Sequence, residues 1–469
     1  MPPWPGEEAP RIPAPANRWL QAAAERSPDQ LALRDHHGEE LSYRELLDRA
    51  EVVAATIASG ARRSGAHCLV ELEPGIDHAV ALHGAILAGA VVQSLRPRLP
   101  VAEREAMVGS WPEVVIDDDW LSSAQKLPFR AFPVGKRDLE EPLTRTLTSG
   151  TSGRPRAVVH TAANHYWSAT ASALNLARRD DDRWLCCLPV DHIAGLAILL
   201  RSVIYRTTAL VHPGFEVERV AAAITDEEAT VISLVPTQLG RLLEAGTSLE
   251  RLRAILCGGA PVPAAMLARA RDRGAKVIQT YGTTETCSQI CALSPEEATS
   301  RLGAAGRPLA GSRIEIADGE ILASGPTIAA DSIAADGMLH TGDRGRVDSD
   351  GCLWVEGRID DLIVSGGENV MPEEVEAALL SHPAVSEAGV VGRSDPEWGK
   401  AVVAVVVAAA GAVPAAAELI EHCRRSLAPF KVPKAIELVA ELPRTRSGKL
   451  IRRSLVTDEP GSGRSSVDL

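Results

Sequence analysis

A compact run of hydroxyl and glycine residues carries the clearest chemical signal in the sequence. This run, called here the hydroxyl-glycine loop, consists of Thr148, Ser149, Gly150, Thr151, Ser152 and Gly153. Glycine lets the backbone approach a ligand closely, so successive N–H groups and hydroxyls can surround phosphate oxygens. Arg154 and Arg156 follow and supply positive charge. The pattern is neither a P-loop nor Gly-x-Gly-x-x-Gly, and a solvated loop of this composition is the alternative.

A second candidate site follows a predicted strand at 276–280. Its residues are Tyr281, Gly282, Thr283, Thr284 and Glu285. A carboxylate beside a flexible glycine suits a Mg²⁺ ion that nucleotide phosphates also hold, and the tyrosine ring could stack on adenine. A purely structural turn is the alternative.

A third candidate pairs Asp343 with Arg358, fifteen residues further along the chain. An aspartate accepts hydrogen bonds from both hydroxyls of a ribose, and an arginine can bond to the same sugar. A salt bridge joining two turns is the alternative, and the two interpretations are compatible.

The elements that must position these residues follow an alternating pattern up to about residue 300. Ser42 and Glu45 form a capping box ahead of an amphipathic helix. Short apolar strands such as 68–72 and 114–116 then alternate with helical patterns such as 164–177. Such alternation predicts layered α/β structure with largely parallel strands.

The remainder of the chain has a different character. Short strands separated by Gly and Asp, from about 314 to 355, predict a small β-rich subdomain. Beyond residue 358, Pro372 at a helix start and several strand patterns predict a small α+β domain. We therefore expect an α/β protein with a large N-terminal domain (1–358), a small C-terminal domain (359–456) and a disordered tail (457–469).

The composition argues against several classes of protein, namely nucleic-acid-binding, membrane-spanning and secreted proteins. The net charge of −13 argues against non-specific nucleic-acid binding. The longest apolar run, Ala401–Val413, has 13 residues, which is too short to span a bilayer and indicates a buried strand running into a loop. The first residues show no signal-peptide pattern, and the eight cysteines show no Cys-x-x-Cys pair. We expect a cytoplasmic protein with reduced, mostly buried thiols and no membrane insertion.

Two longer motifs complete a resemblance. Residues 357–369 read Gly-Arg-Ile-Asp-Asp-Leu-Ile-Val-Ser-Gly-Gly-Glu-Asn, and residues 443–452 read Pro-Arg-Thr-Arg-Ser-Gly-Lys-Leu-Ile-Arg. With the three sites above, these motifs resemble in sequence and order the adenylate-forming superfamily of acyl-CoA synthetases, adenylation domains and luciferases. The resemblance extends from about residue 20 to 455 and implies binding of ATP, Mg²⁺ and coenzyme A.

The resemblance assigns roles to individual residues. Lys449, Thr151 and Glu285 are the expected catalytic residues, with Glu285 also the metal ligand. A lysine suits this role because its compact charge can contact both a carboxylate and the α-phosphate. A solvated basic patch is the alternative for the cluster around Lys449. The nucleotide site is expected to include all six residues of the hydroxyl-glycine loop. Its other expected members are Tyr281, Gly282, Thr283, Thr284, Asp343, Arg358, Gly258, Gly259 and Ala260.

The resemblance also implies a mobile C-terminal domain. Asp360 occupies the hinge position, and Gly366 and Gly367 lie where related synthetases bring backbone close to the pantetheine arm of CoA. Domain rotation about Asp360 would then let one site serve two half-reactions.

Within the superfamily, three segments resemble the o-succinylbenzoate–CoA ligases. They are residues 164–176, 182–205 and 284–290. By that analogy Asn164 and His192 contact the acid, and Arg201 is a candidate partner for its second carboxylate. A core histidine and a helix-surface arginine are the respective alternatives for His192 and Arg201.

The resemblance implies a reaction that joins a carboxylic acid, o-succinylbenzoate, to CoA through an acyl-adenylate in menaquinone biosynthesis. A ligase for another aryl or fatty acid, an enzyme that loads a separate carrier protein, and a non-catalytic nucleotide-binding relative remain as alternatives. The expected partners are the small-molecule acid, ATP and CoA, with no nucleic acid; a homodimer is left open.

Overall fold

The computed structural model describes residues 18–60, 65–126, 138–149, 155–445 and 448–456, excluding the side chains of residues 149 and 155. Gly150, Thr151, Ser152 and Gly153 of the hydroxyl-glycine loop lie outside the described residues, as does the tail 457–469. The roles predicted for them stay predictions.

Helices and strands alternate along most of the chain. The helices are α1 (Trp19–Arg26), α2 (Tyr43–Gly60), α3 (Ile76–Leu87), α4 (Val101–Val108), α5 (Asp118–Gln125), α6 (Ala162–Leu176), α7 (Ile193–Tyr205), α8 (Val217–Thr225), α9 (Pro236–Glu244), α10 (Ala264–Asp272), α11 (Pro372–Leu380) and α12 (Ala416–Arg424). The first strands are β1 (Leu31–Asp35), β2 (Glu40–Ser42), β3 (His67–Val70), β4 (Val91–Ser94), β5 (Val114–Ile116), β6 (Pro142–Ser149), β7 (Pro155–Thr161), β8 (Arg183–Cys186), β9 (Thr208–Val211), β10 (Val231–Leu234), β11 (Ala254–Cys257) and β12 (Val277–Tyr281). The later strands are β13 (Cys291–Ala292), β14 (Arg307–Pro308), β15 (Arg313–Ala317), β16 (Glu320–Ser324), β17 (Leu339–Val347), β18 (Leu353–Arg358), β19 (Ile363–Ser365), β20 (Glu368–Val370), β21 (Val385–Asp395), β22 (Gly399–Ala408) and β23 (Ala435–Leu438).

The chain divides into two compact units. The first contains residues up to Ile232 together with Thr284–Ser288 and Pro326–Ser332, and the second contains the rest. The predicted boundary at residue 358 falls inside the second unit, so the division into domains 1–358 and 359–456 stays a prediction.

The first unit is built on parallel strands with helices between them. One sheet has the order β5-β3-β4-β6-β7, in which only the β6–β7 pair is antiparallel. In the other sheet β8, β9 and β1 run parallel and β2 pairs antiparallel with β1. Parallel strands need crossover connections, which the intervening helices supply. The predicted α/β layering is confirmed.

The second unit combines parallel and antiparallel pairing. β11 and β12 are parallel, and β15-β16-β17-β18 form the antiparallel sheet that the sequence predicted as a β-rich subdomain. Near the C-terminus β21 pairs antiparallel with β22, which pairs parallel with β23. α11 and α12 pack their apolar residues on this last sheet, giving the expected α+β arrangement.

Several local predictions are confirmed. In the capping box the Ser42 N–H donates to Glu45 at 2.8 Å, and the Glu45 N–H donates to the Ser42 hydroxyl at 3.3 Å. Pro372 is the first residue of α11, and the apolar run from Ala401 begins inside β22. Among the described residues, no helix has the length and apolar character needed to cross a membrane.

Candidate functional site

Two paired strands flank the hydroxyl-glycine loop. β6 and β7 run antiparallel, with Thr148 opposite Arg156 and Ser149 opposite Pro155. The Thr148 hydroxyl also donates to the carbonyl oxygen of Arg156 at 3.3 Å. Thr148 and Ser149, at the start of the loop, are therefore held beside Pro155 and Arg156, which follow it in the chain.

Asn164 occupies the first turn of α6 and is used to position backbone. Its side-chain oxygen accepts from the N–H of Thr161 at 2.8 Å, which completes a capping box. Its side-chain nitrogen donates to the carbonyls of Pro326 at 2.9 Å and Ile328 at 3.1 Å. These bonds tie segment 326–332 to the helix start. The contact of Asn164 with the acid stays a prediction.

Glu285 lies half-buried on a segment that is fixed from two sides. His160 of β7 donates through Nε2 to the carbonyl of Thr284 at 2.7 Å. The N–H of Ala329 donates to the carbonyl of Glu285 at 2.9 Å. Because both bonds use backbone carbonyls, they position the segment without consuming the carboxylate of Glu285.

Arg201 is buried within the first unit, with 3% of its surface exposed. The alternative of a helix-surface arginine is therefore wrong. Its Nη2 donates to the Ser168 hydroxyl at 2.8 Å, and that hydroxyl donates to the carbonyl of Cys287 at 2.6 Å. Burial lowers the pKa of the Arg201 guanidinium below its usual value. Arg201 thus places a desolvated guanidinium beside the segment that carries Glu285.

His192 occupies the N-cap position of α7 and is half-buried, so it is neither a fully buried core histidine nor a free surface residue. The preceding residue, Asp191, forms a salt bridge with Arg96, with Nε and Oδ2 separated by 3.3 Å. The carboxylate of Asp191 is thus balanced by a cation of the same unit. The contact of His192 with the acid stays a prediction.

The second unit brings Tyr281, Asp343 and Arg358 together. The Tyr281 phenol donates to Oδ2 of Asp343 at 2.7 Å, and Nη1 of Arg358 donates to Oδ1 at 3.0 Å. Asp343 and Arg358 are partners across β17 and β18, so the predicted salt bridge exists but joins strands instead of turns. Gly282 and Thr283 follow directly and are half-buried.

The charges of this cluster reinforce one another. Burial, followed by the charge of Asp343, raises the pKa of the Tyr281 phenol, which therefore stays protonated and remains a donor. Although burial lowers the pKa of Arg358, the neighbouring Asp343 carboxylate raises it above its usual value. Each Asp343 oxygen receives one bond from the chain and can accept another. The carboxylate is thus fixed through both of its oxygens.

Gly258, Gly259 and Ala260 follow β11 directly. A Cβ on Gly258 would lie 2.5 Å from the Thr280 hydroxyl, so glycine is required for close approach to β12. Gly259 has a φ of +81° and is exposed together with Ala260. The loop is therefore a tight, exposed backbone turn within the second unit.

The turn that carries Lys449 packs against the same region. Gly448, with a φ of +84°, presents its Cα to Val235, whose methyl group lies 3.0 Å from a Cβ built there. Another methyl group of Val235 lies 3.6 Å from a Cβ built on Gly259. The Lys449 N–H donates to the Thr445 hydroxyl at 3.1 Å, and the Lys449 residue is exposed. Val235 thus links the lysine turn to the Gly258–Ala260 loop.

The predicted hinge and CoA residues lie on short elements of the second unit. Asp360 is exposed in a 3₁₀ turn, Ile359–Asp361, immediately after β18. Gly366 and Gly367 form the turn between β19 and β20, with φ of +58° and +85°. A Cβ on Gly366 would meet the Trp398 ring at 2.7 Å, whereas Gly367 faces open space. Their hinge and CoA roles stay predictions.

Three supporting residues were missed by sequence reasoning. Val235 carries no local signal, since an apolar residue before a proline is common. Ser168 lies in an ordinary helical pattern, and its link to Arg201 exists only after folding. Thr341 had a signal, its place two residues before Asp343; its hydroxyl accepts from the Asp343 N–H at 3.1 Å.

Comparisons with known proteins agree with this arrangement. The model of the AMP-binding enzyme family matches residues 20–330, and that of the AMP-binding enzyme C-terminal domain matches residues 374–449. The chain is 38% identical to 2-succinylbenzoate–CoA ligase of Bacillus licheniformis, over 93% of this chain and 98% of the relative. A solved o-succinylbenzoate CoA synthetase from Bacillus subtilis, in complex with the acyl-adenylate intermediate, has a TM-score of 0.86 and 36% identity, covering 95% of this chain and 99% of that chain. The same enzyme in complex with ATP and magnesium ion has a TM-score of 0.85 and 36% identity, with 93% and 99% coverage.

Proposed function

Because the chain belongs to the family of AMP-binding enzymes, we propose that it is an ATP-dependent ligase that converts o-succinylbenzoate to o-succinylbenzoyl-CoA. The observation that carries this proposal is the packing of the Lys449 turn, through Val235, beside the Gly258–Ala260 loop. That packing supports Lys449 as the catalytic cation, because the backbone of its turn lies next to a loop that is predicted to bind the nucleotide.

The first half-reaction is adenylation. The acid carboxylate attacks the α-phosphorus of ATP, and pyrophosphate leaves. The protein makes no covalent bond in this step, so its contribution is positioning and charge stabilisation. Lys449 would neutralise charge that develops between the carboxylate and the α-phosphate. Glu285 would hold Mg²⁺, which neutralises the phosphates, and the hydroxyl-glycine loop would bind the phosphate oxygens.

We propose that the second unit binds the sugar end of the nucleotide. Asp343, fixed by Tyr281 and Arg358, would accept the ribose hydroxyls, and the ring of Tyr281 would lie against the adenine. Because both oxygens of Asp343 are already oriented by donors from the chain, little ordering remains to be done when the nucleotide binds.

The second half-reaction forms the thioester. The CoA thiol attacks the acyl-adenylate, and AMP leaves. Rotation about Asp360 would withdraw Lys449 and bring the Gly366–Gly367 turn to the site. Gly367 supports this role, since its positive φ and open surroundings leave room for a pantetheine arm close to the backbone.

The acid substrate carries two carboxylates, and only one is consumed. The other needs a cationic or hydrogen-bonding partner, for which His192 and Arg201 are proposed. The pairing of Asp191 with Arg96 supports an anionic substrate, because it removes the repulsion that an unpaired aspartate beside His192 would exert.

The proposed reaction also suggests a pathway and a cellular location. We propose a place in menaquinone biosynthesis and a cytoplasmic location. All eight cysteines are buried free thiols, as a reducing compartment favours. A homodimer stays a prediction.

The proposal is tested by pyrophosphate release from Mg·ATP with o-succinylbenzoate, benzoate or a medium-chain fatty acid, each with and without CoA. We expect selective turnover of o-succinylbenzoate and formation of its CoA thioester. Turnover of another acid alone would overturn the substrate, and adenylation without thioester formation would overturn CoA as the acceptor.

The role of Lys449 is tested separately. Lys449→Ala should cripple adenylation but spare thioester formation from supplied acyl-adenylate, because the proposed rotation about Asp360 withdraws Lys449 before the second step. Lys126→Ala, which removes an exposed lysine of the first unit, is the matched control. Equal loss of both half-reactions in Lys449→Ala would contradict the assignment.

A further inference from the structure

Three metal-ligating side chains meet in the interior of the first unit. His160 of β7, His165 of α6 and Cys287 lie with one potential ligand atom each within 4.8 Å of the others. All three residues are buried, with at most 3% of their surface exposed. The proposed chemistry of the ligase assigns no task to this cluster.

The imidazole rings are oriented with a nitrogen toward the centre of the cluster. His165 contacts the Thr144 hydroxyl through Nε2 at 2.7 Å and directs Nδ1 to Sγ of Cys287 at 3.4 Å. His160 donates through Nε2 to the carbonyl of Thr284, which leaves the lone pair on Nδ1. Among the described residues, that buried Nδ1 has no hydrogen-bond partner.

An ordinary thiol–imidazole hydrogen bond explains only part of this geometry. It accounts for Cys287 and His165 but leaves Nδ1 of His160 buried without a partner, which is rare in folded proteins. A cation at the centre would use all three atoms. Metal-ligating histidines also direct their second nitrogen to a carbonyl or hydroxyl, as both rings do here.

We propose that His160, His165 and Cys287 form a binding site for a thiophilic cation, of the class of Zn²⁺ or Cu⁺. Zinc–sulfur and zinc–nitrogen bonds of about 2.3 and 2.0 Å at a tetrahedral angle separate the two ligand atoms by roughly 3.5 Å. The observed separation of 3.4 Å between Sγ and Nδ1 of His165 matches that value. Two imidazoles and a thiolate suit these cations and disfavour Mg²⁺, which prefers oxygen.

Cation binding at Cys287 displaces the proton of the thiol. The cation forms a bond to the Cys287 sulfur, and the thiol proton is released to solvent. Three protein ligands leave a fourth position open for a small ligand with Zn²⁺ and complete a trigonal site for Cu⁺.

The turn that carries Cys287 is held in place by the surrounding residues. Cys287 and Ser288 have φ of 51° and 86°, the left-handed region that non-glycine residues rarely adopt. The Ser168 hydroxyl holds this turn by donating to the carbonyl of Cys287 at 2.6 Å. Because His160 also holds the carbonyl of Thr284, a bound cation would fix the segment that carries Glu285. We therefore expect cation binding to change the rate of adenylation.

The test uses the reduced full-length chain freed of metal. Co²⁺ serves as the optical probe, because a cobalt–thiolate bond gives a charge-transfer absorption band. Zn²⁺ is then titrated to displace it, and Cu⁺ is titrated anaerobically against a chromophoric chelator. We expect one equivalent of Zn²⁺ or Cu⁺ per chain and, where Co²⁺ binds, a thiolate band that Zn²⁺ removes.

Variants locate the site. Cys287→Ser and His160→Gln should abolish one-equivalent binding, whereas Cys68→Ser, another buried cysteine, should retain it. Thr144→Val, which removes the outer partner of His165, should weaken binding by about 10- to 100-fold. Circular dichroism verifies that each variant is folded. Absence of one-equivalent binding by both cations, or binding unchanged in folded Cys287→Ser, would overturn the proposal.

Discussion

Tyr281→Phe isolates the hydrogen bond that orients Asp343. The substitution removes only the phenol that donates to Oδ2 at 2.7 Å and keeps the ring that is proposed to lie against adenine. Both residues are buried, with 9% and 7% of their surface exposed. A hydrogen bond to a charged group contributes about 1.5–3 kcal/mol, so the unfolding free energy should fall by an amount in that range.

The same bond sets an upper limit on the effect on nucleotide binding. A loss of 1.5–3 kcal/mol corresponds to about 10- to 150-fold in an equilibrium constant. Because Arg358 still holds the other oxygen of Asp343, we expect a KM for ATP that rises by about tenfold, the lower end of this range, with the KM for the acid unchanged. Initial rates of pyrophosphate release, with each substrate varied in turn, measure both constants.

Deoxy-ATP distinguishes ribose binding from a general structural defect. If Asp343 accepts the ribose hydroxyls, the penalty of Tyr281→Phe should shrink with 2′-deoxy-ATP, since one of the partners is already missing. Tyr43→Phe is the matched control, because its buried phenol donates to the carbonyls of Ser202 and Thr207. It should lower stability but leave the KM for ATP unchanged. An equal penalty with ATP and 2′-deoxy-ATP would refute the ribose assignment.

Two further predictions concern a buried histidine and a tightly packed glycine. Burial lowers the pKa of His83 to about 4, so between pH 6.5 and 4 the unfolded chain binds more protons and stability falls as the pH is lowered. His83→Leu should remove up to about 3 kcal/mol of this loss, measured as the difference in unfolding free energy between pH 7 and pH 4.5; an unchanged difference would contradict it. Gly258→Ala should raise the KM for ATP and lower stability by about 1–3 kcal/mol, because its Cβ would meet the Thr280 hydroxyl at 2.5 Å. Gly214→Ala, which faces open space, should do neither, and equal effects in the two variants would refute the steric explanation.

Local features of the fold could be predicted because short-range physics determines them. The capping box of Ser42 and Glu45, the proline that begins α11 and the short strands of the β15–β18 sheet each follow from residues within a few positions of one another. The order of the motifs along the chain could also be predicted, because each motif is recognised from its own glycines and polar residues. Boundaries shifted by a few residues, as with the strand predicted at 68–72 and observed at His67–Val70.

The relations between motifs could not be read in this way, because they depend on contacts between distant residues. Val235 packs against both Gly259 and Gly448, which are separated by 189 residues. The residues next to Val235 in the sequence do not predict this contact. Arg201 was expected on a helix surface as readily as in a pocket, and only the packing of α7 shows that it is buried against Ser168.

The His160, His165 and Cys287 cluster has the same origin. His160 and His165 lie five residues apart on a strand and a helix, a spacing that zinc sites use, but Cys287 lies on a loop more than a hundred residues further along the chain. The sequence therefore contains no complete ligand pattern for the cluster. A buried polar group without a hydrogen-bond partner lowers the free energy of unfolding, so an unpaired buried nitrogen destabilises the fold. For that reason such a nitrogen, once the fold is known, is a stronger indication of a ligand than a polar group at the surface.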